Sequence, residues 1–197
     1  MSNHEKLGQD LPVEAERIAT RNFARTCGLI LASTAIIYAG VRLAHRQHLN
    51  HVVNPATAAG RQAPSFALPT PDGKNVQLSD YRGKAVLLNF FGDTCEPCLE
   101  ESPWLVDIQT QDAGKGFQII GIEMYGASNE AIAKYAKQFG TNYVLVHGNE
   151  DIGTEYGIGE FPTSYFLNSK GKIVSTAIGL HSKNEIEANV EAALRSN

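Results

Sequence analysis

Apolar residues fall along the chain in two regimes. From Thr26 to Val41 sixteen consecutive residues carry no charge, and Arg25 and Arg42 flank them. As a helix they would extend about 24 Å, short of a hydrocarbon core of roughly 30 Å, a gap that snorkelling arginines can cover. The pattern predicts a transmembrane anchor over 26–44, behind a polar segment at 1–25 and ahead of a linker over 45–60 that contains Asn54-Pro55 and Ala58-Ala59-Gly60. A buried core helix and a cleaved signal peptide are the competing readings. The charged stretch ahead of the apolar run is long for a signal peptide. Arg17, Arg21 and Arg25 precede the run, and Arg42 and Arg46 follow it. The positive-inside rule thus slightly favours a cytoplasmic N-terminus and an outward-facing remainder.

Over 61–197 the apolar runs are shorter and alternate in period, as in one folded domain. Pro64 to Leu68 and Asn75 to Leu78 read as two short strands around Asp72-Gly73. Ala85 to Phe91 is apolar almost throughout, which places it in the middle of a sheet covered on both faces. Glu96 to about Ala113 reads as a helix interrupted by Pro103, and Phe117 to Met124 as a second buried strand. Ser128 starts a helix through Phe139 that Gly140 ends. Tyr143 to Val146 is a strand and Asp151 to Tyr156 a short helix. Thr163 to Leu167 and Lys172 to Ile178 form a hairpin, and Ser182 caps a last helix to Leu194. Strands alternating with helices and closed by an antiparallel hairpin predict an α/β sandwich with a mixed central sheet flanked by helices.

Charge refines the picture. Residues 1–50 hold six Lys/Arg against four Asp/Glu, the remainder eleven against seventeen. An acidic globular part argues against nucleic acid as a partner.

The candidate chemistry lies in Cys95-Glu96-Pro97-Cys98, directly after the buried strand and at a helix start. Two thiols at this spacing can close a disulfide, and first-turn N–H groups stabilise a thiolate. Cys95 at the N-cap side is the candidate nucleophile. Cys98, one turn in, is the candidate resolving thiol. A zinc site lacks a second ligand pair, since the only other cysteine is Cys27 in the apolar run, more plausible as a packing residue. Haem attachment needs a histidine where Leu99 stands, and a peroxidatic motif would need Pro and Ser or Thr where Leu88 and Gly92 stand. Two other classes remain open. One is a copper-binding assembly module using both thiols and His147 or His181; the other is an anchored scaffold with a static disulfide. His45, His48 and His51 recur every third residue without a carboxylate or cysteine partner, a weak metal signal.

Several blocks occur together in order: Ala63-Pro64-x-Phe66-x-Leu68, Gly73-Lys74, Leu78-Ser79-Asp80, Gly83-Lys84, Leu88-Asn89-Phe90-Phe91, the C-x-x-C, Glu101 with Pro103, and Phe161-Pro162-Thr163. In these, residues 60–195 resemble the membrane-anchored TlpA/ResA-like thiol-disulfide oxidoreductases of the thioredoxin superfamily, with a redoxin or AhpC-TSA-like domain. The resemblance implies a thioredoxin fold with an N-terminal β-hairpin and an inserted helix over Ser128–Phe139. It implies a cis peptide at Phe161-Pro162, whose Phe161 backbone pairs with an extended substrate segment beside Glu96 and Pro97. It also implies that Glu101 is a cleft acid exchanging a proton with the Cys98 sulfur; on helical spacing alone Glu101 shares a face with Cys98, as a surface glutamate also would.

Asn89 stands where thioredoxins proper carry a buried Asp, which moves proton handling toward Glu101. Thr94 stands where the family usually places Trp, and the sole tryptophan, Trp104, lies further along the helix, where packing is its expected role. Asp93, Glu96 and Glu101 place negative charge near Cys95 and Pro97 withholds an N–H, so the expected couple is reducing. Within the resemblance, the expected activity is reduction of cysteine pairs in exported proteins, apocytochrome c or a copper-site assembly factor. The redox-active disulfide needs no further cofactor, and electrons come from a membrane donor of the DsbD/CcdA type. The expected location is the cytoplasmic membrane, with the domain facing the periplasm or extracytoplasmic space.

Overall fold

The computed structural model describes residues 31–42 and 53–196, which fall in two units, one within Met1–Asn50 and one within His51–Asn197. In the first unit residues 31–42 are helical, with the side chains of Leu31, Ile36, Ile37 and Val41 exposed. Among the described residues no helix is long and apolar enough to cross a membrane. The anchor expected over 26–44 extends at both ends beyond the described residues. The polar segment 1–25, Cys27, His45, His48 and His51 lie outside them altogether.

The second unit is built on five strands: β3 (Ala85–Phe91), β4 (Phe117–Glu123), β5 (Val144–His147), β6 (Thr163–Leu167) and β7 (Ile173–Ile178). They lie in the order β5-β4-β3-β6-β7. β3, β4 and β5 are parallel, and β6 runs antiparallel to β3 and β7. The mixed sheet read from the alternation is therefore present. A separate two-stranded ribbon pairs β1 (Ala67–Pro69) with β2 (Asn75–Gln77), and Leu78, expected as the end of a strand, instead opens a 3-10 turn over Leu78–Tyr81. Asp80 explains the difference, because its carboxylate accepts the Gln77 N–H and closes a capping box there.

All seven residues of β3 are buried, because both faces of the sheet are covered. Val86, Leu88 and Phe90 pack with Ile120, Ile122 and Tyr156 on one side. Leu87 and Phe91 pack on the other with Leu105 and Ile108 of α1 (Glu96–Asp112), Ile132 of α2 (Asn129–Phe139) and Val190 of α4 (Lys183–Arg195). Asn89 is on the strand face that meets α1, so an amide is held inside an apolar layer. Ser128 and Ser182 cap α2 and α4 as their positions predicted, each accepting a backbone N–H three residues on.

Residues 53–60, expected as the end of a linker, are part of the packed body. Val53 and Ala58 are buried, and the Val53 N–H donates to the Glu155 carbonyl at the end of α3 (Glu150–Glu155). The Gly60 N–H donates to Ile173 of β7, the Ile173 N–H returns to Arg61, and Thr176 donates to the Pro55 carbonyl. The physical reason is the edge of β7: its unpaired backbone groups are satisfied by the incoming chain.

Candidate active site

β3 ends at Phe91, and Gly92-Asp93-Thr94 turns the chain into α1. The Cys95 N–H donates to the Gly92 carbonyl (3.2 Å) and the Cys95 carbonyl accepts the Leu99 N–H (3.0 Å), which makes Cys95 the N-cap. Cys95 and Cys98 are disulfide-bonded with Cα atoms 5.2 Å apart. Cys95 is 8% exposed and Cys98 3%, so the N-cap residue is the more accessible of the two. Glu96 is exposed and Pro97 half-buried between them, and Pro97 sits in the first turn, where its missing N–H breaks no helical bond.

Glu101 is one turn beyond Cys98 on the inner face of α1 and only 3% exposed, unlike its exposed neighbour Glu100. Its Oε1 accepts a hydrogen bond from Asn89 Nδ2 at 2.9 Å, and the same amide donates to Ser164 Oγ at 3.1 Å. Burial raises the carboxyl to about 7, and the Asn89 hydrogen bond acts in the opposite direction. A carboxyl at that value has both protonation states available at neutral pH, which suits it to proton transfer. Asn89 thus holds the acid in place, a role for the amide that the sequence left unassigned.

A second buried polar chain braces the same turn. Ser102 Oγ donates to the Cys98 carbonyl (2.7 Å) and hydrogen-bonds the Tyr135 hydroxyl from α2. Burial pushes the Tyr135 hydroxyl up, with the Glu101 charge adding in the same direction.

The peptide between Phe161 and Pro162 is cis. Pro162 is buried, its carbonyl accepts the Gly179 N–H (2.8 Å), and Phe161 is half-buried. No backbone hydrogen bond to another described residue uses the Phe161 N–H or carbonyl.

Against Phe161 lies a residue that the sequence did not single out. The Tyr125 ring meets the Phe161 ring edge to face, centroids 5.2 Å apart, and is itself 52% exposed. It also covers Gly92, where an added Cβ would come within 2.5 Å of the ring. Glu123 fixes this loop: the buried carboxylate accepts the Tyr125 N–H (2.6 Å) and the Ala127 N–H (2.9 Å). An aromatic ring therefore stands beside the Cys95 turn although Thr94 occupies the usual tryptophan position. A carboxylate closing an otherwise apolar strand was the signal available for this loop. Trp104 is half-buried and packs against the core.

Neither histidine considered as a copper ligand is joined to the thiols. His147 Nε2 is hydrogen-bonded to Asn129 (2.7 Å) and His181 lies 3.8 Å from Glu185. Among the described residues no group of three or more His, Cys, Asp or Glu is arranged to hold a metal ion.

Known proteins resemble this chain in sequence and in fold. The model of the AhpC/TSA family matches residues 59–176. The chain is 34% identical over 130 residues to the thiol-disulfide oxidoreductase ResA of Bacillus thuringiensis, covering 65% of this chain and 74% of that protein. It is 32% identical over 138 residues to ResA of Geobacillus thermodenitrificans, covering 70% and 79%. The chain belongs to the AhpC/TSA family, among the ResA-like thiol-disulfide oxidoreductases. A thiol:disulfide interchange protein of the thioredoxin family from Chlorobium tepidum superposes with a TM-score of 0.63 at 29% identity, over 70% of this chain and 98% of its own. The fold is thioredoxin-like, and membership makes this chain a redox enzyme acting on cysteine-containing protein substrates.

Proposed function

We propose that the chain is a membrane-anchored reductase of disulfides in exported proteins. The observation that carries this reading is Glu101, a buried carboxyl near neutrality one turn beyond Cys98 and held by Asn89. In the reduced protein the Cys95 thiolate attacks one sulfur of the client disulfide. The client S–S bond breaks, its second sulfur leaves and takes up a proton, and a Cys95–client bond forms. Glu101, as carboxylate, accepts the proton of the Cys98 thiol, and the Cys98 thiolate attacks the Cys95 sulfur. The client departs reduced by two electrons, and the Cys95–Cys98 disulfide observed here is the product state. The Phe161 N–H and carbonyl, in no backbone hydrogen bond among the described residues, give an extended client backbone a place to pair, with Glu96 and Pro97 beside it in this reading.

The 26–44 segment is the anchor in this reading, supported by the exposed apolar side chains of the helical 31–42 stretch. The domain faces the periplasm or extracytoplasmic space, and a membrane donor of the DsbD/CcdA type re-reduces the pair, with no further cofactor. The clients are apocytochrome c or a copper-site assembly factor, both of which need free cysteines.

The test is the equilibrium reduction potential of the Cys95–Cys98 pair. A value at or below about −250 mV supports a reductase, and one above about −150 mV points instead to disulfide formation. Cys98→Ser is expected to trap a mixed disulfide with the client through Cys95, which also identifies the client by mass spectrometry.

A further inference from the structure

α1 lacks a rung close to the resolving thiol. Pro103 has no N–H to give to the Leu99 carbonyl, so the backbone bond one position beyond Cys98 is missing. At the neighbouring position the Ser102 hydroxyl itself donates to the Cys98 carbonyl, at 2.7 Å. A serine hydroxyl has one proton to give, and here it is directed at Cys98. The contact of 2.5 Å between Ser102 Oγ and the Tyr135 hydroxyl is therefore made with the Tyr135 proton. Tyr135, Ser102 and the Cys98 carbonyl form a directed row from α2 to the active-site helix. Ser102 is 0% exposed and Tyr135 5%, so water does not compete for the row.

The Tyr135 ring is fixed as well. It packs on Phe91 with centroids 4.9 Å apart and on Phe139 at 5.0 Å. Phe91 is the last residue of β3, the strand that leads into the Cys95 turn. One tyrosine thus touches both flanks of the redox pair, the strand before Cys95 through its ring and the Cys98 turn through its hydroxyl. In the oxidised protein the S–S bond already holds Cys98 against Cys95. Once that bond is replaced by a Cys95–client bond, only backbone and side-chain contacts keep Cys98 near the Cys95 sulfur, and the rate of intramolecular attack depends on how well they hold it.

We propose that Tyr135, acting through Ser102, is a positioning residue for the resolving step, holding the Cys98 turn within reach of the Cys95 sulfur while the disulfide is open. This rests on the roles given above to Cys95 as nucleophile and Cys98 as resolving thiol, and it gives α2 a part in the reaction.

The experiment uses the full chain in detergent, reduced, with Cys27→Ser so that only the pair reacts, and glutathione disulfide as the probe. The Cys95 thiolate attacks the probe, one glutathione leaves and takes up a proton, and a Cys95–glutathione bond forms. The Cys98 thiolate then attacks the Cys95 sulfur and the second glutathione leaves, so that two electrons pass from the pair to the probe. Acid quenching and mass spectrometry follow the two steps, and Cys98→Ala isolates the first. Tyr135→Phe keeps the ring and removes the hydroxyl. It is expected to slow the second step about two- to fivefold and to leave the first as it was, so that the mixed disulfide accumulates. With reopening by glutathione unchanged, the same factor raises the reduction potential of the pair by about 10–20 mV. Ser102→Ala is expected to act alike, and the double variant no more strongly than either, because all three break one row. A second step at the wild-type rate in either single variant overturns the brace and leaves the proposed reaction standing. Equal slowing of both steps, the mark of a generally loosened site, overturns it too. Glutathione trapped on Cys98 in the wild type overturns the roles of the two thiols, and the brace with them.

Discussion

Asn89 Nδ2 lies 2.9 Å from Glu101 Oε1, and through this hydrogen bond a strand in the middle of the sheet opposes the effect of burial on a carboxyl of the active-site helix. Burial drives Glu101 upward and Asn89 opposes it, so the value near 7 is a balance of two opposed effects. Asn89→Ala removes the opposing one. The Glu101 carboxyl should then titrate above about 7, and stability should fall by about 1–3 kcal/mol because the acid and Ser164 lose their donor. Carboxyl-carbon NMR titration and urea unfolding of the oxidised protein check both; an unmoved titration would mean that burial alone sets the value.

Glu101 also links stability to pH. Its folded-state value of about 7 is above the ordinary 4.5, so between the two the folded protein retains a proton that the unfolded chain has released. The stabilisation is complete below the ordinary value and is lost as pH rises through the folded one. The loss amounts to about 3 kcal/mol, at about 1.4 kcal/mol per pH unit. Glu101→Gln should flatten this part of the stability profile. Urea midpoints between pH 4.5 and 8, with the disulfide intact, measure the difference between wild type and variant.

Glu123→Ala leaves the Tyr125 and Ala127 N–H groups without their acceptor. The expected cost is about 1–3 kcal/mol, together with faster hydrogen exchange at those two amides than in Glu123→Gln, which keeps an acceptor oxygen. Exchange confined to distant amides would contradict the assignment.

Gly157 has φ +61° and an added Cβ would lie 2.3 Å from the Val53 carbonyl oxygen. Gly157→Ala should cost about 1–3 kcal/mol and release the 53–62 segment from the end of α3 and the edge of β7. Limited proteolysis should then cut within 53–60 in the variant and not in the wild type.

Local pattern was enough for the elements. The continuous apolar run of β3, the serine caps of α2 and α4, and the hairpin of β6 and β7 are short-range features, and each formed within a residue or two of its expected place. The disulfide was equally legible, because a three-residue spacing at the N-cap of a helix brings the two sulfurs within bonding reach. Ordered motifs brought in Glu101 and Phe161-Pro162. What the sequence by itself could not supply was the company these residues keep. Asn89 reaches Glu101 across 12 positions and Ser164 across 75, Tyr125 meets Gly92 and Phe161 from a different strand, and residues 53–62 cover β7 from more than a hundred positions away. Such contacts depend on strand order and on which face of β3 meets α1, and no local periodicity encodes either. Burial then sets the chemistry: the same glutamate would be an ordinary surface acid in water, and desolvation inside the packed sheet and helix brings it to neutrality.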